Sequence, residues 1–77
     1  MFHNIDSIIM EFGKLIKELR VAQGLTIKQV ADAVEVNVRA YNYYEQSKHE
    51  PSLETLKRIC DFFDVSADYL IGRTDSY

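Results

Sequence analysis

The sequence predicts an all-α fold, a compact five-helix bundle, and three observations carry that expectation. Apolar residues return at i, i+3, i+4 and i+7 in successive segments, the spacing that lines one side of a helix. Three Gly and one Pro are too few turn signals for the many short strands of a sheet protein. A length of 77 residues suits one hydrophobic core and is too short for two, because small chains bury a smaller share of their surface.

In the first segment Phe12, Leu15, Ile16 and Leu19 form the apolar stripe, and Gly24 follows as a C-terminal cap. Ile5, Ile8, Ile9 and Phe12 extend the spacing upstream. Residues 1–10 are therefore either the start of helix one, capped by Asp6 or Ser7, or an N-terminal extension before Glu11. Thr26 and Gln29 have the form of a capping box for a short second helix with Ile27, Val30, Ala31 and Val34 inward. Glu35 and Val36 make a tight connection, and Asn37 caps a third helix from about Val38 to Gln46. That helix carries Tyr41, Tyr44 and Glu45 on one side and Arg39, Asn42, Tyr43 and Gln46 on the other. After a loop from Lys48 to Pro51, Ser52 caps a fourth helix that turns Leu53, Leu56, Ile59, Cys60 and Phe63 inward. Val65 and Ser66 interrupt the pattern, and Ser66 caps a last turn or two through Ala67, Asp68, Tyr69, Leu70 and Ile71, closed by Gly72. The domain is expected over residues 11–72, with 73–77 as a tail and no repeat or linker dividing it.

Composition narrows the function. With 47% hydrophobic and 27% charged residues, the chain has the balance of an ordinary soluble globular domain. Its apolar runs fall short of the roughly 20 residues that span a bilayer, so neither a membrane partner nor a signal peptide is expected. Cys60 is alone, which excludes an internal disulfide and a cysteine-based zinc site and fits a reducing, cytoplasmic setting. On its apolar stripe it reads as a small buried hydrophobe. His3 and His49 lack metal-ligand spacing, so no metal or other cofactor is expected. No nucleophile with a base, glycine-rich phosphate loop or set of converging carboxylates is present, so the chain is not expected to be an enzyme or to take a small-molecule substrate. The net charge of -3 counts against a general nucleic-acid binder, whose affinity comes from Lys and Arg displacing counterions, so any DNA surface must be local.

Helices two and three, joined by about three residues, have the proportions of a helix-turn-helix over residues 27–46. In that motif the first helix crosses the DNA backbone and the second enters the major groove, which assigns the entering helix to Val38 through Gln46. Several stretches stand in a recognisable order: Lys17-Glu18-Leu19-Arg20, Gly24-Leu25-Thr26, Val30-Ala31, Tyr44-Glu45, Pro51-Ser52-Leu53-Glu54-Thr55-Leu56, and Val65-Ser66-Ala67-Asp68-Tyr69-Leu70-Ile71-Gly72. Through them residues Phe12 to Gly72 resemble the Cro/repressor-type, or XRE-like, helix-turn-helix family of phage and bacterial regulators.

The resemblance implies a lambda-repressor-like DNA-binding domain: a sequence-specific transcriptional regulator, foremost a repressor, acting on double-stranded DNA as a homodimer. It implies an ion pair between Arg20 and Glu45 that ties helix one to the recognition helix. It places base reading on Val38, Arg39, Ala40 and Tyr43, with Asn42 and Gln46 at the groove wall against the DNA backbone. Arg39 can donate two hydrogen bonds to O6 and N7 of guanine, and Val38 and Ala40 can meet a thymine methyl. Tyr43 can reach either a base edge or a phosphate. Lys28 and Gln29 stand at the start of helix two, where free amides and the helix dipole favour a phosphate, and Lys48 can hold the strand on the other side. Tyr69, Leu70 and Ile71 are the implied dimer interface, and Phe2, Ile5 and Ile8 form a rival apolar patch.

Plainer readings stand beside these: a helical bundle that binds no nucleic acid, an Arg39 that is merely solvated, and tyrosines that mostly pack. The chain also departs from the family's pattern. Ile27 stands in place of a backbone-contacting glutamine, Glu35 in place of the turn glycine, where positive φ is demanded, and Tyr41 in place of a smaller core residue. Ser47 and Glu50 replace common glycine and basic positions. With the negative total charge, Ile27, Glu35 and Glu50 favour a second reading, a protein-interaction module on a helix-turn-helix scaffold, antitoxin-like or a regulatory protein partner, with weak or no DNA binding.

Overall fold

The structure, a computed structural model, describes residues 5–70, with side chains from Phe12 onward. Five helices follow one another: α1 (Ile5–Ala22), α2 (Ile27–Ala33), α3 (Val38–Glu45), α4 (Leu53–Phe63) and α5 (Ala67–Leu70), and the described residues contain no strand. The expected caps Asp6 and Ser7 and the patch of Phe2, Ile5 and Ile8 concern side chains outside the described residues, as do Ile71, Gly72 and the tail at 73–77.

Each of the later helices starts on a side chain that satisfies a free first-turn amide. Thr26 Oγ accepts from the Gln29 amide at 3.1 Å while the Thr26 amide donates to Gln29 Oε1 at 2.8 Å, a complete capping box. Asn37 Oδ1 accepts from the Ala40 amide at 2.7 Å, Ser52 Oγ from Thr55 at 3.2 Å and Ser66 Oγ from Tyr69 at 3.0 Å. Each such cap contributes about 1 kcal/mol.

The first four helices also stop alike, with a paired set of backbone bonds around one left-handed residue. The amides of Leu25, Val36, Lys48 and Val65 reach back to the carbonyls of Arg20, Ala31, Tyr43 and Cys60 at 2.9 to 3.1 Å. The left-handed residues are Gly24 (φ 69°), Glu35 (φ 65°), Ser47 (φ 60°) and Asp64 (φ 57°). Only the first is glycine, so the other three corners each carry strain of about 1 kcal/mol. Glu35 takes up the positive φ expected of it, and its carboxylate lies 3.6 Å from Arg58 Nε on α4, which partly offsets its charge.

The core gathers Phe12 and Ile16 from α1, Val30, Ala31 and Val34 from α2 and its end, Tyr41 from α3, Ile59 and Phe63 from α4, then Val65 and Leu70. Two expectations are corrected. Leu53 does not face inward but is 75% exposed. The buried line of α4 runs through Thr55, Ile59 and Phe63 with Leu56 and Cys60 against it, and Leu53, at the first helical position, falls off that stripe. Leu70 is fully buried within its own chain and therefore cannot line a dimer interface, whereas Tyr69 is half-buried against the same core. Cys60 is half-buried, and burial followed by the charge of Asp61 pushes its thiol up from the usual value, which makes it a poor nucleophile.

Tyr41 is the largest fully buried side chain among the described residues, and its hydroxyl lies beside the Glu45 carboxylate but outside good hydrogen-bond geometry. Burial, then the neighbouring Glu45 carboxylate, holds that hydroxyl far above its usual pKa of 10.0. Tyr41→Phe is expected to raise the free energy of unfolding by about 1 kcal/mol, because the orphaned hydroxyl is removed and the ring stays. A pKa raised on folding makes the native state lose stability as pH climbs past 10.0, so urea titrations of the two proteins should diverge further above that pH. Equal or lower stability of Tyr41→Phe at pH 7 would show that the hydroxyl is satisfied.

Candidate nucleic-acid interface

The third helix is held from behind. Glu45 is buried on its inner side, where Arg20 Nε lies 2.7 Å from Glu45 Oε2 and Arg20 Nη2 lies 3.1 Å from Oε1. Arg20 Nη1 also donates to the Leu25 carbonyl at 2.9 Å, so one guanidinium ties the end of α1 and the approach to α2 to the end of α3. The side chains are only 13% and 4% exposed. The Glu45 hydrogen bond raises the guanidinium's proton affinity, against burial, which lowers it.

Gly13 forms a second seam between α1 and α3. A Cβ there would lie 2.6 Å from the Ser47 hydroxyl oxygen, 2.6 Å from the Tyr44 carbonyl oxygen and 2.8 Å from the Glu45 carbonyl oxygen. Two of these three atoms are backbone, so only a residue without a side chain lets the helices approach this closely. The glycine interrupts an apolar helical pattern, and that interruption is the one signal of it in the sequence.

With its inner side engaged, α3 turns the other side to solvent. Arg39 and Gln46 are exposed, Val38 is 43% exposed, and Ala40, Asn42 and Tyr43 are half-buried at the rim. The six share the outer half of the helix, flanked by exposed Lys48 in the turn that follows. Lys28 and Gln29 are exposed at the start of α2; Lys28 Nζ lies 2.9 Å from Asp32, and Gln29 is engaged in the capping box. Exposed ion pairs of this kind are worth little and are readily exchanged.

Cations on this surface are not all neutralised. Among the described residues Arg20, Lys28 and Arg58 have carboxylate partners. Arg39 and Lys48 instead lie against the ring of Tyr43, at 5.6 and 5.5 Å from its centroid, and His49 packs on that ring at 5.2 Å. His49 had no role in the sequence reading; only its adjacency to Lys48 hinted at one. An aromatic ring leaves a cation's charge available to an incoming anion, which a carboxylate does not. Among the described residues no group of three or more His, Cys, Asp and Glu is placed to hold a metal, and no helix is long and apolar enough to cross a membrane.

Residues 16–70 match the family described as helix-turn-helix. The chain belongs to the helix-turn-helix family. Among relatives of this helix-turn-helix chain, the HTH-type transcriptional regulator ImmR of Bacillus subtilis is 32% identical over 66 residues, covering 86% of this chain and 52% of ImmR. The cryptic phage CTXphi transcriptional repressor RstR of Vibrio cholerae is 29% identical over 65 residues, covering 84% of this chain and 59% of RstR. The chain thus spans between half and three-fifths of the length of these curated relatives. In fold, the helix-turn-helix bundle matches the restriction-modification controller protein C.AhdI from Aeromonas hydrophila, with a TM-score of 0.74 at 22% identity over 80% of this chain and 94% of that one.

Proposed function

We propose that this protein is a sequence-specific double-stranded DNA-binding transcriptional regulator, a repressor of phage or bacterial type that acts in the cytoplasm as a homodimer. The observation that carries the reading is the two-sided α3: its inner side is locked by the Arg20–Glu45 pair, and its outer side presents Arg39, Asn42, Tyr43 and Gln46, where Arg39 and the following Lys48 lie against the Tyr43 ring and have no carboxylate partner among the described residues. In this reading Val38, Arg39 and Ala40 face base edges, with Tyr43 beside Arg39 on the same side of α3, and Lys28, Gln29, Asn42, Gln46 and Lys48 face the backbone. The relatives' names as transcriptional regulators support the same direction. A dimer would present two such helices to half-sites about 10 base pairs apart on one side of the duplex. Of the implied interface, Leu70 is buried in the core and Tyr69 is half-buried against it.

Titration on random and genomic duplexes at low and moderate salt tests it. Specific binding should fall steeply with salt, and Arg39→Ala should weaken the preferred site by about 1–3 kcal/mol, roughly 5- to 160-fold, while leaving non-specific binding less affected. A smaller ratio of preferred to random affinity in Arg39→Ala than in the wild type is the expected signature, and an equal loss on both duplexes would count against base reading by Arg39. No duplex binding by the wild type at low salt would favour the protein-interaction reading, which the net charge of -3 and the exposed acidic turn at Glu35 support.

A further inference from the structure

Resting on the DNA-binding reading, we propose that Tyr43 is a positioning residue: it holds Arg39 and Lys48 at the DNA face and does not itself read a base. Three contacts converge on this side chain. Arg39 Nε donates to the Tyr43 hydroxyl at 3.2 Å, one helical turn away, and the guanidinium carbon lies 5.6 Å from the ring centroid. Lys48 Nζ lies 5.5 Å from the same centroid. The Lys48 amide donates to the Tyr43 carbonyl at 2.9 Å through the left-handed turn at Ser47, so backbone and side chain both fix Lys48 relative to Tyr43.

The geometry divides the labour of the guanidinium. With Nε committed to the tyrosine hydroxyl, the donors left outward are those of the two terminal nitrogens, the pair that meets O6 and N7 of guanine end-on. A long side chain free in solution loses rotamer freedom when it docks, and one already held by a ring and a hydroxyl loses less. Lys48 gains likewise, as a phosphate contact presented from a fixed place. His49 packs on the ring at a tilt of 41° and restricts its motion. A tyrosine flanked by two cations and the His49 ring offers less of its own surface to a base edge than an unpacked one.

The test is a set of double-mutant cycles on the full chain, with the preferred duplex selected for the wild type. Tyr43→Leu, which removes ring and hydroxyl, should weaken binding about two- to tenfold. The same change should have no further effect when added to Arg39→Ala with Lys48→Ala. It should also lower the slope of log affinity against log salt towards that of Lys48→Ala, while urea unfolding stays at the wild-type midpoint; a merely structural role would move the midpoint and not the slope. Tyr43→Phe separates the hydroxyl from the ring, keeping the salt slope and losing the Arg39-dependent part. In the free protein, the Arg39 Nε–H proton should exchange with water more slowly in the wild type than in Tyr43→Phe. An undiminished Tyr43→Leu effect in the double-cation background would show direct reading by Tyr43 and overturn the proposal, as would equal Nε–H exchange in wild type and Tyr43→Phe. Absence of any duplex binding by the wild type would overturn the DNA-binding reading and this role with it, and the exchange measurement identifies that case because it needs no DNA.

Discussion

Glu45→Ala is expected to lower the free energy of unfolding by about 3–5 kcal/mol, the largest loss for any single side chain on this surface. The net worth of a buried ion pair is small, because two charges must leave water to form it. The loss on truncation is large because the survivor is then stranded. Arg20 would be left in a site that is only 13% exposed, with the Leu25 carbonyl as its remaining acceptor. A domain this small is marginal to begin with, so the variant should be largely unfolded well below the wild-type midpoint in urea or on heating. Lys28→Ala is the control: its pair with Asp32 is exposed on both sides, and its removal should change stability by less than about 1 kcal/mol. A Glu45→Ala loss no larger than that of Lys28→Ala would mean that Arg20 relaxes into solvent and that α3 is anchored by packing alone.

Gly13→Val is expected to cost about 3 kcal/mol, read from the shift in urea midpoint at constant slope. Its Cβ would stand 2.6 Å from a carbonyl oxygen of α3, and a carbonyl at a helix end cannot swing aside as a side chain can. Adding Ser47→Gly gives a sharper check. It removes the hydroxyl oxygen, another atom at 2.6 Å, and also relieves the left-handed residue at φ 60°. Rescue should be partial, because the Tyr44 and Glu45 carbonyls remain in the way. A Gly13→Val protein of wild-type stability would mean that α1 slides away freely and that the seam is no constraint.

What could be read from the chain alone depended on how local its cause was. The caps at Thr26, Asn37, Ser52 and Ser66 bond within three residues, so spacing suffices to place them. The positive φ at Glu35 is legible through the resemblance, because Glu35 stands at the position of the family's turn glycine. The Arg20–Glu45 pair spans 25 residues, and resemblance, not periodicity, pointed to it. Leu53 was misplaced because the stripe of α4 was counted from the helix's first residue, whereas packing sets its phase from Thr55 and Ile59. The resemblance implies an interface role for Leu70, but in this chain Leu70 fills the core, and the spacing of apolar residues in a short last helix does not distinguish the two. Gly13 is marked in the sequence only as an interruption of the apolar pattern, and the contacts around Tyr43 depend on how closely elements approach and which rotamers result, which no linear pattern encodes.

The two ties behind α3, a guanidinium at one point and a bare backbone contact at another, leave that helix little freedom to tilt or roll. In a complex with DNA, a mismatch in shape would therefore be accommodated by the nucleic acid. Bending or overtwisting B-form DNA has a cost set by its base steps, so under the proposed dimeric DNA-binding function, sites with pliable steps between the half-sites should be preferred even where no side chain touches them.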